Sequence, residues 1–457
     1  MTTLFARHAR VLVTMDDSRR EIADGALFVR DGVIEAVDTT EALIARMPDA
    51  IRVADETLDL RGHVLLPGLV NTHHHMFQTL TRAVPAVQNV ELFGWLTGLY
   101  GYWLHLTPDM IYNSALVAMA ELMLSGCTTS SDHLYLFPNG VQLEDEIRAA
   151  AEIGLRFHAC RGAMSVGESA GGLPPDRLCE REPDILRDMQ RVIETHHNAE
   201  RYAMLRIALA PCAPFSVSQD LMRESAALAR QYGVRLHTHL AENVKDIDYT
   251  REHFHQTPAE YAESVGWLGA DVWHAHCVQL DPAGIDAFAR TGTGVAHCPG
   301  SNFRLASGIA PIKAMHAAGV RVGLGVDGSS SNDGGHLLNE ARLALYAQRA
   351  GGDPAAMTAR QSLELGTRGG AAVLGRDDIG VLAPGMAADF VSIDTDTLAF
   401  AGALHDPVAA LILCAPQTVA FNVINGRVVV RDGQLTTVAL APIIARQNQM
   451  ARQLVDG

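Results

Sequence analysis

Lysine is nearly missing from this chain: of its 36 basic residues only Lys245 and Lys313 are lysines. Schiff-base chemistry and a pyridoxal cofactor both need a lysine at the reacting centre, so both are disfavoured. Basic character as a whole is short, and the net charge of −16 disfavours nucleic acid and anionic membrane as partners. No apolar run approaches the roughly 18 residues that span a bilayer. The opening residues, Met1 to Arg7, lack the apolar segment of a secretory signal. A disulfide frame is also missing. The seven cysteines are odd in number, scattered and mostly set in apolar strands, which predicts reduced thiols in a cytoplasmic protein. Neither the phosphate loop Gly-x-x-x-x-Gly-Lys nor a Gly-x-Gly-x-x-Gly after the first strand occurs, which counts against an open doubly wound sheet.

What is present begins with size. At 457 residues, 48% apolar, the chain can bury a large barrel and a smaller companion domain. Both ends read as short strands joined by tight turns. Ala26–Val29 and Val33–Val37 flank Asp31-Gly32, and Asn425-Gly426 and Asp432-Gly433 punctuate the C-terminal part. Between them, apolar runs alternate with helical patterns. The strand candidates are 63–70, 127–132, 156–160, 205–210, 234–239, 272–278, 293–297 and 320–325. Thr107-Pro108 and Thr257-Pro258 each predict a helix start, with Glu260 completing a capping box. The expected fold is α/β: a (β/α)8 TIM barrel over residues 63–379, with a small β-sandwich domain formed from both termini, 1–62 and 380–440. Residues 441–457 should form a C-terminal helix. In such a barrel the C-terminal ends of the strands build the site.

Those ends carry the chemistry. Asn71-Thr72-His73-His74-His75 follows the first candidate, and alternation along a strand would turn His73 and His75 the same way. His237-Thr238-His239-Leu240-Ala241-Glu242, His274-Ala275-His276 and Val326-Asp327 end the fifth, sixth and eighth. Imidazoles and a carboxylate converging from four separate segments make a transition-metal site. Taken singly, His74, His237 and His274 read better as supporting or packing histidines.

Together these segments resemble the amidohydrolase superfamily, in its cytosine-deaminase-like branch, over essentially the whole chain. The resemblance implies His73, His75, His239 and Asp327 as ligands of one divalent metal ion, with Glu242, His276 and Asp327 as catalytic residues. Binuclear members bridge two metals with a carbamylated lysine after the fourth barrel strand. Here that strand ends in Ala210-Pro211-Cys212, so a single ion is expected. Zinc is the first choice, and iron or manganese also suit such ligands. The stretches 71–82, 125–132, 163–175, 208–217, 298–308 and 323–333 resemble the subgroup that deaminates 8-oxoguanine. By that resemblance Gln78 would bind the amide edge of the ring and Cys212 the imidazolone side, the products being urate and ammonia. Cys212 otherwise reads as a small core residue. Gly300, where serine is expected, loosens the substrate assignment, so isoxanthopterin and hydroxylated triazines remain open, as does a non-catalytic scaffold. The loop 161–175, rich in glycine and proline, suits a lid. The expected partner is a small heterocycle, and self-association of the chain is expected.

Overall fold

In the computed structural model, residues 2–456 are described; residues 1 and 457, the outermost residues of the expected terminal segments, lie outside them. The N-terminal region gives β1 (Thr3–Val13), β2 (Glu21–Arg30), β3 (Val33–Thr39), β4 (Glu56–Asp59) and β5 (His63–Pro67). The C-terminal region gives β14 (Phe390–Asp394), β15 (Phe421–Ile424), β16 (Arg427–Arg431) and β17 (Gln434–Leu435). These nine strands form one connected sheet in the order β17-β16-β15-β14-β5-β1-β2-β3, with β4 beside β1. The chain's two ends are therefore woven together. Asp31-Gly32, Asn425-Gly426 and Asp432-Gly433 all take positive φ at both residues, the tight-turn conformation that matches strand twist. At His8 (φ 60°) β1 changes register, so its first half pairs with β4 and its second with β5. The two parts of the sheet close on Leu4, Leu12, Leu27, Leu65, Phe390 and Val423, a sandwich-like core.

The middle of the chain closes eight parallel strands into a barrel. They are β6 (Leu69–Asn71), β7 (Cys127–Leu134), β8 (Arg156–Ala163), β9 (Leu205–Pro211), β10 (Arg235–Leu240), β11 (Val272–His276), β12 (Gly294–His297) and β13 (Arg321–Leu324). One buried cluster gathers Val70, Cys160, Ala208, Ala210, Trp273 and Ala296 from five of these strands; its members are mostly small. Thr107 caps the helix Pro108–Leu124, and Thr257 with Glu260 forms the capping box of Pro258–Ser264.

The run 63–70, expected as one barrel strand, is two. His63–Pro67 pairs with β14 in the terminal sheet, whereas Leu69–Asn71 opens the barrel. The change falls at Gly68, whose N–H bonds Asp389 while the next N–H, of Leu69, bonds Gly126. A Cβ on Gly68 would come within 2.1 Å of the Thr128 side chain, so only glycine lets the chain cross here. Buried Arg156, at the start of β8, holds Asp389 through two bonds of 2.9 and 3.0 Å and ties the barrel to the sheet. The C-terminal helix, Leu440–Asp456, reaches inward through Gln447, whose Nε2 donates to Thr79 at 2.9 Å. Among the described residues, no helix is long and apolar enough to cross a membrane.

Candidate metal centre and pocket

His73 and His75 lie just beyond the end of β6, on the segment that turns into the short helix Met76–Thr81. Strand alternation is therefore not what aims them. Each ring is held by a hydrogen bond at Nδ1, which leaves Nε2 to face the centre. His75 Nδ1 donates to the His133 carbonyl at 2.8 Å. His239, on β10, donates from Nδ1 to the Cys212 carbonyl at 2.7 Å. His73 Nδ1 lies 2.7 Å from His237 Nε2. The buried Nε2 of His73 has no hydrogen-bond partner. Asp327, placed after β13 with φ 59°, brings Oδ1 to 3.3 Å from His73 Nε2 and 3.4 Å from His75 Nε2.

These atoms suit a cation. Burial lowers all three imidazoles, His239 to about 3, so they are neutral donors. Although burial works against it, His73 beside it and the other surrounding histidines hold Asp327 well below the usual carboxylate range. Three neutral nitrogens and one carboxylate are a donor set for a divalent transition ion, and two overlapping groups here could hold one: His73, His75, His133 and His239, and His73, His276 and Asp327. Neither lysine ends β9, and both are engaged elsewhere: exposed Lys245 pairs with Glu91 at 2.7 Å and exposed Lys313 with Asp353 at 2.6 Å.

Glu242 and His276 stand over the same point. Register along β10 and β11 pairs His237 with Trp273, whose rings stack at 4.4 Å, and Thr238 with His274. His274 consequently sits on the other face, against Phe288 and the Trp267 carbonyl. Alternation would send His276 the same way. A positive φ of 69° at His276 turns it into the mouth instead, where Nδ1 meets Asn302 Oδ1 at 3.0 Å. Its Nε2 then lies 3.6 Å from Glu242 Oε2 and 3.8 Å from Asp327 Oδ2. Burial lowers His276, but Glu242 and Asp327 outweigh it and raise the group overall. Burial pushes Glu242 up to about 7.

A narrow pocket opens beside these groups, lined by Gln78, Trp95, Tyr100, Tyr135, Cys212, Phe215, Leu305 and Ser331. Gln78 is buried, and its Oε1 faces the Ser330 N–H at 3.4 Å. A Cβ on Gly328 would stand 1.8 Å from that oxygen, so the glycine makes the room in which the carboxamide rests. The Cys212 thiol lines the pocket, pushed up to about 12 by burial and therefore not a thiolate nucleophile. The roof comes from the helix Leu92–Trp103, where Trp95 Nε1 donates to the Ser330 carbonyl at 3.1 Å.

The loop 161–175 begins on β8, whose last residue is Ala163. Among the described residues none of it lines the pocket; its backbone is pinned to Phe215 and Ser216, and Arg161 at its base pairs with Glu180 and Asp188. Other participants escaped the sequence reading. Asn302 orients His276, Gly328 makes room for Gln78, and His133 offers a fourth ring nitrogen near the cluster while its Nε2 donates to Ala210 at 2.6 Å. Asn302 lies on the short helix Pro299–Arg304 and Gly328 on the loop after β13, and both are residue types of ordinary composition. His133 follows Asp132 at the end of a strand candidate, the one available signal.

Comparison with known proteins agrees with this architecture. The amidohydrolase family matches residues 64–434. An 8-oxoguanine deaminase from Pseudomonas aeruginosa is 45% identical over 95% of this chain and 96% of its own length. An isoxanthopterin deaminase from an unknown prokaryotic organism is 36% identical, covering 86% of each chain. Among solved structures, atrazine chlorohydrolase from Arthrobacter aurescens TC1, complexed with zinc, superposes with a TM-score of 0.93 at 34% identity. That match covers 98% of this chain and all of the other.

Proposed function

This chain belongs to the amidohydrolase family, and from that premise we propose that it is a metal-dependent aminohydrolase converting 8-oxoguanine and water to urate and ammonia. One observation carries the reading: His73 and His75 bring Nε2 to 3.3 and 3.4 Å from Asp327, His239 brings its Nε2 to 3.0 Å from that of His75, and Glu242 lines the pocket beside them with Gln78 and Cys212. His73, His75, His239 and Asp327 would hold one ion, zinc first among the candidates. When bound, such an ion acts as a Lewis acid and makes water acidic near neutrality.

The chain's own groups handle the protons and the ring. Glu242, poised near 7, can both take and give a proton at Oε2, as delivery first to a ring nitrogen and then to departing ammonia requires. His276 holds a proton at Nε2 between two carboxylates and can bond the attacking oxygen. Asp327, kept ionised, can accept the proton that water gives up. Gln78 accepts at Oε1 from the Ser330 N–H and faces the Tyr135 oxygen, and its Nε2 would donate to a ring carbonyl in the pocket. Cys212 lines the same pocket and would meet the imidazolone side. Trp95 and Phe215 help to exclude bulk water.

The reduced state of all seven cysteines fits a cytoplasmic enzyme. Exposed Phe303, Ile309 and Tyr346 fit self-association. Isoxanthopterin and hydroxylated triazines are the competing substrates, since both share a lactam edge. Steady-state rates on 8-oxoguanine, isoxanthopterin, guanine, cytosine and hydroxyatrazine decide among them. Faster turnover of any other compound than of 8-oxoguanine rejects the assignment.

A further inference from the structure

His237 is fully buried and points into the barrel below the cluster, yet no role in the reaction uses it. Its surroundings fix its protonation. Nδ1 lies 3.0 Å from the Trp273 carbonyl, which can only accept, so the ring's hydrogen sits there. Nε2 is then a lone pair, and it faces His73 Nδ1 at 2.7 Å. That lone pair demands a hydrogen on His73 Nδ1, which leaves Nε2 of His73 bare and aimed at Asp327. The Trp273 indole closes the circuit, since its Nε1 donates to the Thr72 carbonyl at 3.0 Å, one residue before His73. The same tryptophan stacks on His237 at an interplanar angle of 12°. Four residues from three separate parts of the chain thus form a closed ring of contacts, with a single arrangement of hydrogens satisfying all of it.

We propose that His237, clamped by Trp273, is a positioning residue that holds His73 in its metal-ready tautomer and so sets how tightly the site retains its ion. The proposal rests on the metal reading above. A ligand histidine left without such an acceptor can carry its hydrogen at either nitrogen, and in one of the two states it cannot bind a cation. The circuit removes that state. His75 and His239 need no equivalent histidine because backbone carbonyls accept from them directly.

Two substitutions test the role. H237F keeps a ring stacked on Trp273 but removes the acceptor. H237Q restores one, because a glutamine Oε1 can reach the place of a histidine Nε2. Zinc affinity of each full-length protein is measured by competition with a chromophoric chelator, alongside the melting temperature of the metal-free form. The expected result is a 10–100-fold weaker affinity in H237F, with H237Q within about threefold of the parent and metal-free melting temperatures alike. Cobalt-loaded H237Q should keep the parent's visible absorption bands, and H237F should not. Equal zinc affinity in H237F and the parent overturns the proposal. So does equal weakening in both variants with a lowered metal-free melting temperature, which marks a packing role. A parent protein that takes up no zinc overturns the metal reading, and this proposal with it.

Discussion

His75 and His239 face one another through their Nε2 atoms at 3.0 Å, although neither nitrogen has a hydrogen to share. Both rings have committed their one N–H to a carbonyl oxygen. Two lone pairs at that separation repel unless a positive charge stands between them. The pair therefore defines where an ion belongs.

Chelation follows directly from this pair. Prolonged dialysis against a strong chelator should abolish turnover and lower the melting temperature. An ion held a thousandfold above its dissociation constant stabilises by about 4 kcal/mol, equivalent to roughly 4 °C for a chain of this size. Calorimetry before and after zinc is restored checks it, and an unchanged transition counts against the site.

Replacing Glu242 by Gln keeps the shape of the side chain and removes its proton exchange. The variant should retain one ion per chain while its turnover number falls roughly 10²–10⁴-fold. Metal analysis and steady-state rates on the same sample separate the two effects. Undiminished turnover would show that Glu242 moves no proton in the reaction.

Gly328→Ala tests the cradle of Gln78. The added Cβ would overlap Gln78 Oε1, so the carboxamide must swing away from the Ser330 N–H. Metal content should stay constant while kcat/KM falls at least tenfold, about 1.4 kcal/mol of lost transition-state binding. Unchanged kcat/KM on the preferred substrate would mean that Gln78 does not read the ring.

Acid should unfold the protein partly through Asp378. Burial opposes its charge, but Arg376 donates twice, at 2.7 and 2.8 Å, and the carboxyl falls to about 2. A carboxyl lowered on folding adds stability that is fully present above its unfolded pKa. It is lost as pH drops through the folded value, here between about 4 and 2. The loss is on the order of 2 kcal/mol. Asp378→Asn should be less stable at neutral pH and show a shallower decline over that window in urea titrations.

How much was legible beforehand differs from residue to residue. The barrel and its eight strands could be read because apolar runs, capping residues and turn dipeptides each have a local cause. The histidine and acid clusters were readable because such side chains at strand ends have few other uses. His276 could be picked out, but its direction could not. Alternation aims it away from the mouth, and only the positive φ at its own position brings it back. The break at Gly68 was hidden because the apolar run continues through it, and its reason lies 60 residues onward in Thr128. The tautomer circuit through His237 and Trp273 depends on register between two strands, which no single strand's sequence specifies. The loop 161–175 has the composition of a flap, and its backbone bonds to Ser216, from a separate segment, are contacts that local composition does not show.

Because β5 is threaded between β1 and β14 immediately before the histidines begin, the catalytic barrel cannot be cut out as a free-standing module. An excised fragment starting at residue 69 would expose β14's unmatched edge and release the anchor that fixes where Asn71 enters. Engineers wishing to graft this active site should carry both chain ends with it, or rebuild that shared strand's partners first.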